Sequence, residues 1–194
     1  MQRQIELIGA AWGLGGADPG CAEAPAVLVP QLVGRLAAYG VATGAGPILE
    51  PPPGERRKQY AVSKLCGQLA SAVADARRHG RLPCVIGGDH SCAGGTWTGV
   101  ARTVPGPLGL IWIDAHMDSH TPATSHTGRL HGMPLAWLLG QDDDPLYGLG
   151  TGVVTQPKNA GLQPDLSRRG CRPPGAALEC DDPDRSSIGA ADRL

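Results

Sequence analysis

The sequence predicts an α/β protein built on a parallel sheet, and three observations carry that prediction. Short apolar runs of strand length alternate with longer amphipathic stretches through the first 150 residues. Two of those runs, 82–86 and 108–113, are apolar at nearly every position rather than at every second one. Such runs belong to strands covered on both faces, as in a parallel sheet between helices. Each of the two also ends in a dense polar block, Gly87-Gly88-Asp89-His90-Ser91 and Asp114-Ala115-His116-Met117-Asp118-Ser119-His120. Open parallel sheets bind their ligands beyond the carboxyl ends of strands, where both blocks fall.

The elements follow in order. Residues 5–10 read as the first strand and 13–20 as a glycine-rich loop. Pro25 opens a helical pattern to about Tyr39, with Val29, Leu32, Val33 and Leu36 on one face. Pro51-Pro52-Pro53-Gly54 is a rigid loop. A long amphipathic helix is expected over 59–79, because Val62, Leu65, Leu69 and Val73 recur at helical spacing and Gly80 supplies a stop. Residues 82–86 form the next strand, and Ser91 is placed to cap a helix to about Arg102. A second buried strand is expected over 108–113 and a helix over 130–139.

The totals narrow the function. At 194 residues the chain has a one-domain length. Its net charge of -1 gives no footprint for nucleic acid or an anionic membrane. The apolar stretch near the N-terminus is interrupted by Glu6 and preceded only by Arg3, so it reads as strand and turn rather than signal peptide. The six cysteines, with no C-x-x-C pair, read as buried reduced thiols of a cytoplasmic protein. Leu, Ile, Val, Met, Trp and Tyr supply 42 of residues 1–150 but 7 of the 44 in 151–194. Proline also breaks the latter stretch repeatedly. Segment 1–150 is therefore expected to be the α/β domain, and 151–194 an irregular, disordered tail.

The polar blocks carry the chemistry. Side chains two apart on an extended segment point to one side, so Asp114, His116 and Asp118 are expected to face one site. His90, at the end of a neighbouring strand, adds a fourth donor. Imidazole and carboxylate together, without thiolate, suit a borderline-hard divalent metal such as manganese. A carboxylate bridging two such ions lets them share a water whose pKa falls near neutrality. A nucleotide-binding domain is set aside, since no G-x-G-x-x-G or P-loop follows a strand.

Gly87–Ser91 (GGDHS), Asp114–Pro122 (DAHMDSHTP) and His131–Leu135 (HGMPL) resemble the arginase branch of the ureohydrolase family over roughly residues 4–150. The resemblance implies a three-layer α/β/α fold, incomplete here, and two manganese ions per active site. It makes His90 and Asp118 ligands of one ion, His116 a ligand of the other, and Asp114 the bridge. His131 matches the active-site histidine that moves a proton. His120 stands where an asparagine usually contacts the amino-acid end of the substrate, Thr127 where a serine is common, and Arg129 where an asparagine is common. His126, an extra histidine of that loop, reads as solvated.

The implied reaction is hydrolysis of a small guanidino substrate by metal-bound hydroxide, led by L-arginine to L-ornithine and urea. Agmatine, guanidinobutyrate and formiminoglutamate are alternative substrates. Members of the family form homo-oligomers. The Asp-x-Asp strand that completes the family's site has no match here. The acidic cluster Cys180-Asp181-Asp182-Pro183-Asp184 follows no apolar strand and reads as solvated. Hence a truncated or frameshifted frame after about residue 150 is expected, and an inactive remnant or interaction subunit stands as the other function class.

Overall fold

The computed structural model describes residues 3–52, 57–106 and 108–141. All lie within the unit Met1–Thr155. Part of the 51–54 loop, the boundary near residue 150, the 151–194 tail and the acidic cluster fall outside the described residues.

Among the described residues the sheet has three parallel strands in the order β2-β1-β3: β1 is Ile5–Ala10, β2 Thr43–Leu49 and β3 Leu82–Gly87. Ile5 lies opposite Thr43 on one side and Leu82 on the other. Its central place suits β1, buried from Glu6 to Ala10. The one charge there, Glu6, is met by Arg81 Nη1 at 2.7 Å.

Helices α1 (Ala24–Ala38) and α2 (Lys58–Arg78) connect the strands, and α3 (Cys92–Ala101) follows β3. Successive β1 side chains point to opposite faces. Ile8 and Ala10 join Val62, Leu65, Leu69 and Val73 of α2 in the core, while Gly9 lies under Pro25 of α1. Helices therefore cover both faces, giving the expected α/β/α layering. The apolar stripe of α1 faces inward as its spacing predicts, with Val29 buried and Leu32, Val33 and Leu36 half-buried. A short 3-10 turn (Leu130–Gly132) and helix α4 (Pro134–Leu138) replace the single helix expected over 130–139. Leu130, Met133 and Trp137 complete the core.

Because Ile8 is fully buried between β1 and α2, Ile8→Val is expected to cost about 1 kcal/mol, read as a lower midpoint in urea at unchanged slope.

Strand β2, Thr-Gly-Ala-Gly-Pro-Ile-Leu, carries no strand pattern in the sequence. It survives at the sheet edge through an irregularity. Between Leu7 and Gly9 of β1, β2 advances from Ala45 to Ile48, so one extra residue is accommodated around Gly46 and Pro47. A bulge on an edge strand is where proline, lacking an N–H, is tolerated.

The strand expected over 108–113 is not formed. The segment is irregular, with Ile111 83% and Ile113 93% exposed. Apolarity suits a run to burial but does not supply a neighbour, and β3 pairs with β1 alone among the described strands.

The cysteines also divide. Among the described residues Cys66 and Cys92 are buried free thiols as expected, whereas Cys21 is half-buried and Cys84 is exposed on β3; Cys171 and Cys180 lie outside them. Burial pushes the Cys66 thiol up strongly and that of Cys92 up to about 12. Among the described residues no helix is long and apolar enough to cross a membrane.

Candidate metal centre

Two chain crossings build the site. Strand β3 ends in Gly87-Gly88, and the chain turns so tightly there that Gly88 N–H reaches Ala10 O at 2.8 Å and Asp89 N–H reaches Trp12 O at 2.9 Å. This delivers His90 just beyond the carboxyl end of the sheet, beside a concavity of about 420 Å³ that it lines with Asp89, Thr96 and Trp97. The second crossing is the 114–120 block. It is tied to the His131 segment by Leu135 N–H to Asp118 O at 2.9 Å and His120 N–H to Gly132 O at 3.1 Å.

Together they bring three donors to one point. His90 Nδ1 lies 2.5 Å from Asp118 Oδ2 and 3.2 Å from Asp114 Oδ2. Donor atoms of the three residues all fall within 4.8 Å of one another. Asp114 turns its other oxygen the opposite way: Oδ1 accepts the His116 backbone N–H at 2.7 Å and lies 3.4 Å from His116 Nδ1. The His116 side chain is 83% exposed and stands outside the three-donor group.

An extended segment would set Asp114, His116 and Asp118 on one face. The block is irregular instead, and Asp118 adopts φ 47, a left-handed conformation that aspartate tolerates better than most residues. Asp118 is thereby swung toward His90.

The electrostatics match the geometry. Hydrogen bonding to Asp118 raises the His90 pKa above its ordinary value. Burial opposes this, and the charges of Asp118, Asp114 and Asp89 add to it. The His116 backbone N–H holds the Asp114 carboxyl below its ordinary value against a small burial cost, with His90 and His116 contributing. When His90 is protonated, its Nδ1 proton lies between two carboxylate oxygens. A divalent cation in its place meets the same imidazole and carboxylate donors, a set that fits manganese or a similar ion.

The remaining predicted residues lie on the adjoining loop. His131 is half-buried in the 3-10 turn, and its N–H donates to Gly15 O at 3.2 Å. His120 is exposed, with Nδ1 3.4 Å from Thr124 Oγ1. Thr127 accepts from Arg129 N–H at 3.3 Å and, with Arg129 and Lys58, lines a cavity of about 690 Å³. His126 is exposed.

Sequence reasoning missed two contributors. Trp112 lies against His90 with ring centroids 4.8 Å apart and planes tilted by 32°. No sequence signal marks it, since 108–113 is apolar nearly throughout; only the structure shows Trp112 half-buried between exposed Ile111 and Ile113. Ser91 was expected to cap α3, but its hydroxyl accepts from Trp12 Nε1 at 3.0 Å and makes no cap bond.

A family model described as the arginase family matches residues 3–163. Human arginase-1 is 39% identical over 145 residues, covering 71% of this chain and 45% of that protein. Among solved structures, Bacillus cereus arginase superposes with a TM-score of 0.69 at 34% identity, over 79% of this chain and 54% of that one. An Entamoeba histolytica arginase in complex with L-ornithine gives 0.67 at 28% identity, over 77% and 53%. The chain spans about half the length of the relatives it matches.

Proposed function

The chain belongs to the arginase family, and from that premise we propose that its metal centre serves hydrolysis of a guanidino substrate, L-arginine to L-ornithine and urea. The observation that carries this reading is the meeting of His90 Nδ1 with Asp114 and Asp118 Oδ2 beyond the carboxyl end of the sheet.

In this reading His90 and Asp118 would hold one manganese ion and His116 a second, with Asp114 shared between them. The division of Asp114, Oδ2 toward His90 and Oδ1 toward His116, supports that assignment. Bound there, the ions supply an activated water and positive charge for attack on the guanidinium carbon. His131 moves a proton at its imidazole. His120 and Thr127 orient the substrate's far end. The ornithine complex of the Entamoeba relative supports an amino-acid substrate over agmatine. The buried free thiols of Cys66 and Cys92 fit a reducing cytoplasm.

A one-ion reading has its own support, since the three converging donors define one position and His116 stands outside it. Manganese titration of the metal-free chain, followed by urea release from arginine, agmatine and guanidinobutyrate, separates the possibilities. The expected result is at least one tightly held ion per chain, two if the bridge operates, with arginine preferred. Less than one ion per chain and no urea would overturn the proposal.

A further inference from the structure

We propose that Asp89 is a positioning residue that holds His90 and His131 in fixed relation through the loop after β1. The inference rests on the metal-site reading above, in which both histidines act.

Asp89 is 6% exposed and is not among the converging donors. A buried acid must have its oxygens satisfied, and both are committed to backbone. Oδ2 accepts Gly15 N–H at 2.8 Å and Oδ1 accepts Ser91 N–H at 2.9 Å. Its own N–H donates to Trp12 O. Ser91, on the other side of His90, is fully buried and held by Trp12 Nε1 and by Cys66 Sγ, which donates to Ser91 O at 3.3 Å. Both neighbours of His90 are therefore fixed in the core, so the imidazole has little freedom except about its own side-chain torsions.

The same carboxylate reaches the other histidine. Gly15, held by Asp89 through its N–H, accepts the His131 N–H at its carbonyl. The joint has no spare room: a Cβ on Gly15 would lie 2.8 Å from Asp89 Oδ1, 3.1 Å from His131 N and 3.2 Å from Ser91 Cβ. Two N–H groups converging on two oxygens require a carboxylate. An asparagine would turn its NH2 toward one of those donors, and that bond would break.

The test compares the full wild-type chain with Asp89→Asn. Amide exchange at Gly15 and His131, manganese affinity, and kcat against KM for urea release are measured where both proteins are folded. Exchange at His131 is expected to rise and manganese affinity to fall, each about tenfold, with kcat reduced and KM nearly unchanged. Asp75→Asn, removing an exposed acid of α2, leaves all of these unaltered. Unchanged His131 exchange or unchanged manganese affinity in Asp89→Asn would overturn the proposal. Should Asp89→Asn not fold, Gly15→Ala disturbs the same joint from the opposite side and is held to the same outcomes. If the wild type itself takes up no manganese and releases no urea, the metal-site reading fails, and His131 exchange alone decides the positioning role.

Discussion

Gly88→Ala is expected to destabilise the fold by about 3 kcal/mol or more and to remove manganese binding with it. A Cβ at Gly88 would lie 2.2 Å from Trp12 O and 3.0 Å from its carbonyl carbon. Neither backbone can yield. Gly88 N–H is bonded to Ala10 O on one side of the contact and Asp89 N–H to Trp12 O on the other. Relief requires β3 to separate from the end of β1, which also moves His90 away from Asp114 and Asp118. Against a total stability of about 5–15 kcal/mol such a loss leaves little margin. Urea denaturation and manganese titration measure the two effects. Gly34→Ala provides the contrast: Gly34 is exposed in α1 and a Cβ there meets nothing within 4 Å, so the same change is expected to stabilise by about 0.5–1 kcal/mol. A Gly88→Ala protein as stable as wild type would mean that the β1–β3 crossing is looser than its hydrogen bonds indicate.

The close approach at Gly88 marks the boundary between what the sequence reveals and what it does not. Helices α1 and α2 are legible because their burial follows helical periodicity, and strands β1 and β3 because each is a short apolar run, although β3 is only partly covered, with Leu82 and Cys84 exposed. Strand β2 is not, since Thr43–Leu49 owes its pairing to β1 and its tolerance of Pro47 to an edge bulge, both properties of the neighbour. Segment 108–113 fails in the opposite sense: its composition announces burial, but no described strand lies beside it. The site divides in the same way. Residue types and spacing identify His90, Asp114, His116 and Asp118, because few combinations of imidazole and carboxylate sit so densely after apolar runs. Their division into three converging donors and one outlying histidine depends on a single left-handed residue, Asp118, which alternation cannot foresee. Asp89 was visible inside the GGDHS block, yet only its burial and two backbone donors distinguish its role from that of a ligand.

Protonation and metal binding at His90 are expected to respond to pH with opposite signs. In the metal-free protein the His90 pKa is raised above 6.5, chiefly by its bond to Asp118. Above 6.5 the folded chain keeps a proton that the unfolded chain has lost. This contribution to stability is therefore fully present below 6.5 and disappears as pH rises through the raised value. Asp114 acts at the other end: its depressed pKa contributes stability above 3.8 that is lost as pH falls through the folded value. Manganese reverses the upper limb. Ligation through Nδ1 requires the proton to leave, so affinity rises by roughly tenfold per pH unit until the raised His90 pKa is passed, then levels off. Melting temperatures across roughly pH 5.5–8.5, with chelator and with manganese, should diverge. Asp118→Asn removes the main cause of the shift, and asparagine accepts the left-handed backbone as readily as aspartate. Its metal-free profile should flatten and its manganese affinity should drop on the order of 100-fold. A metal-free melting temperature that climbs through this window, or an affinity indifferent to pH, would place the ion somewhere other than His90 Nδ1.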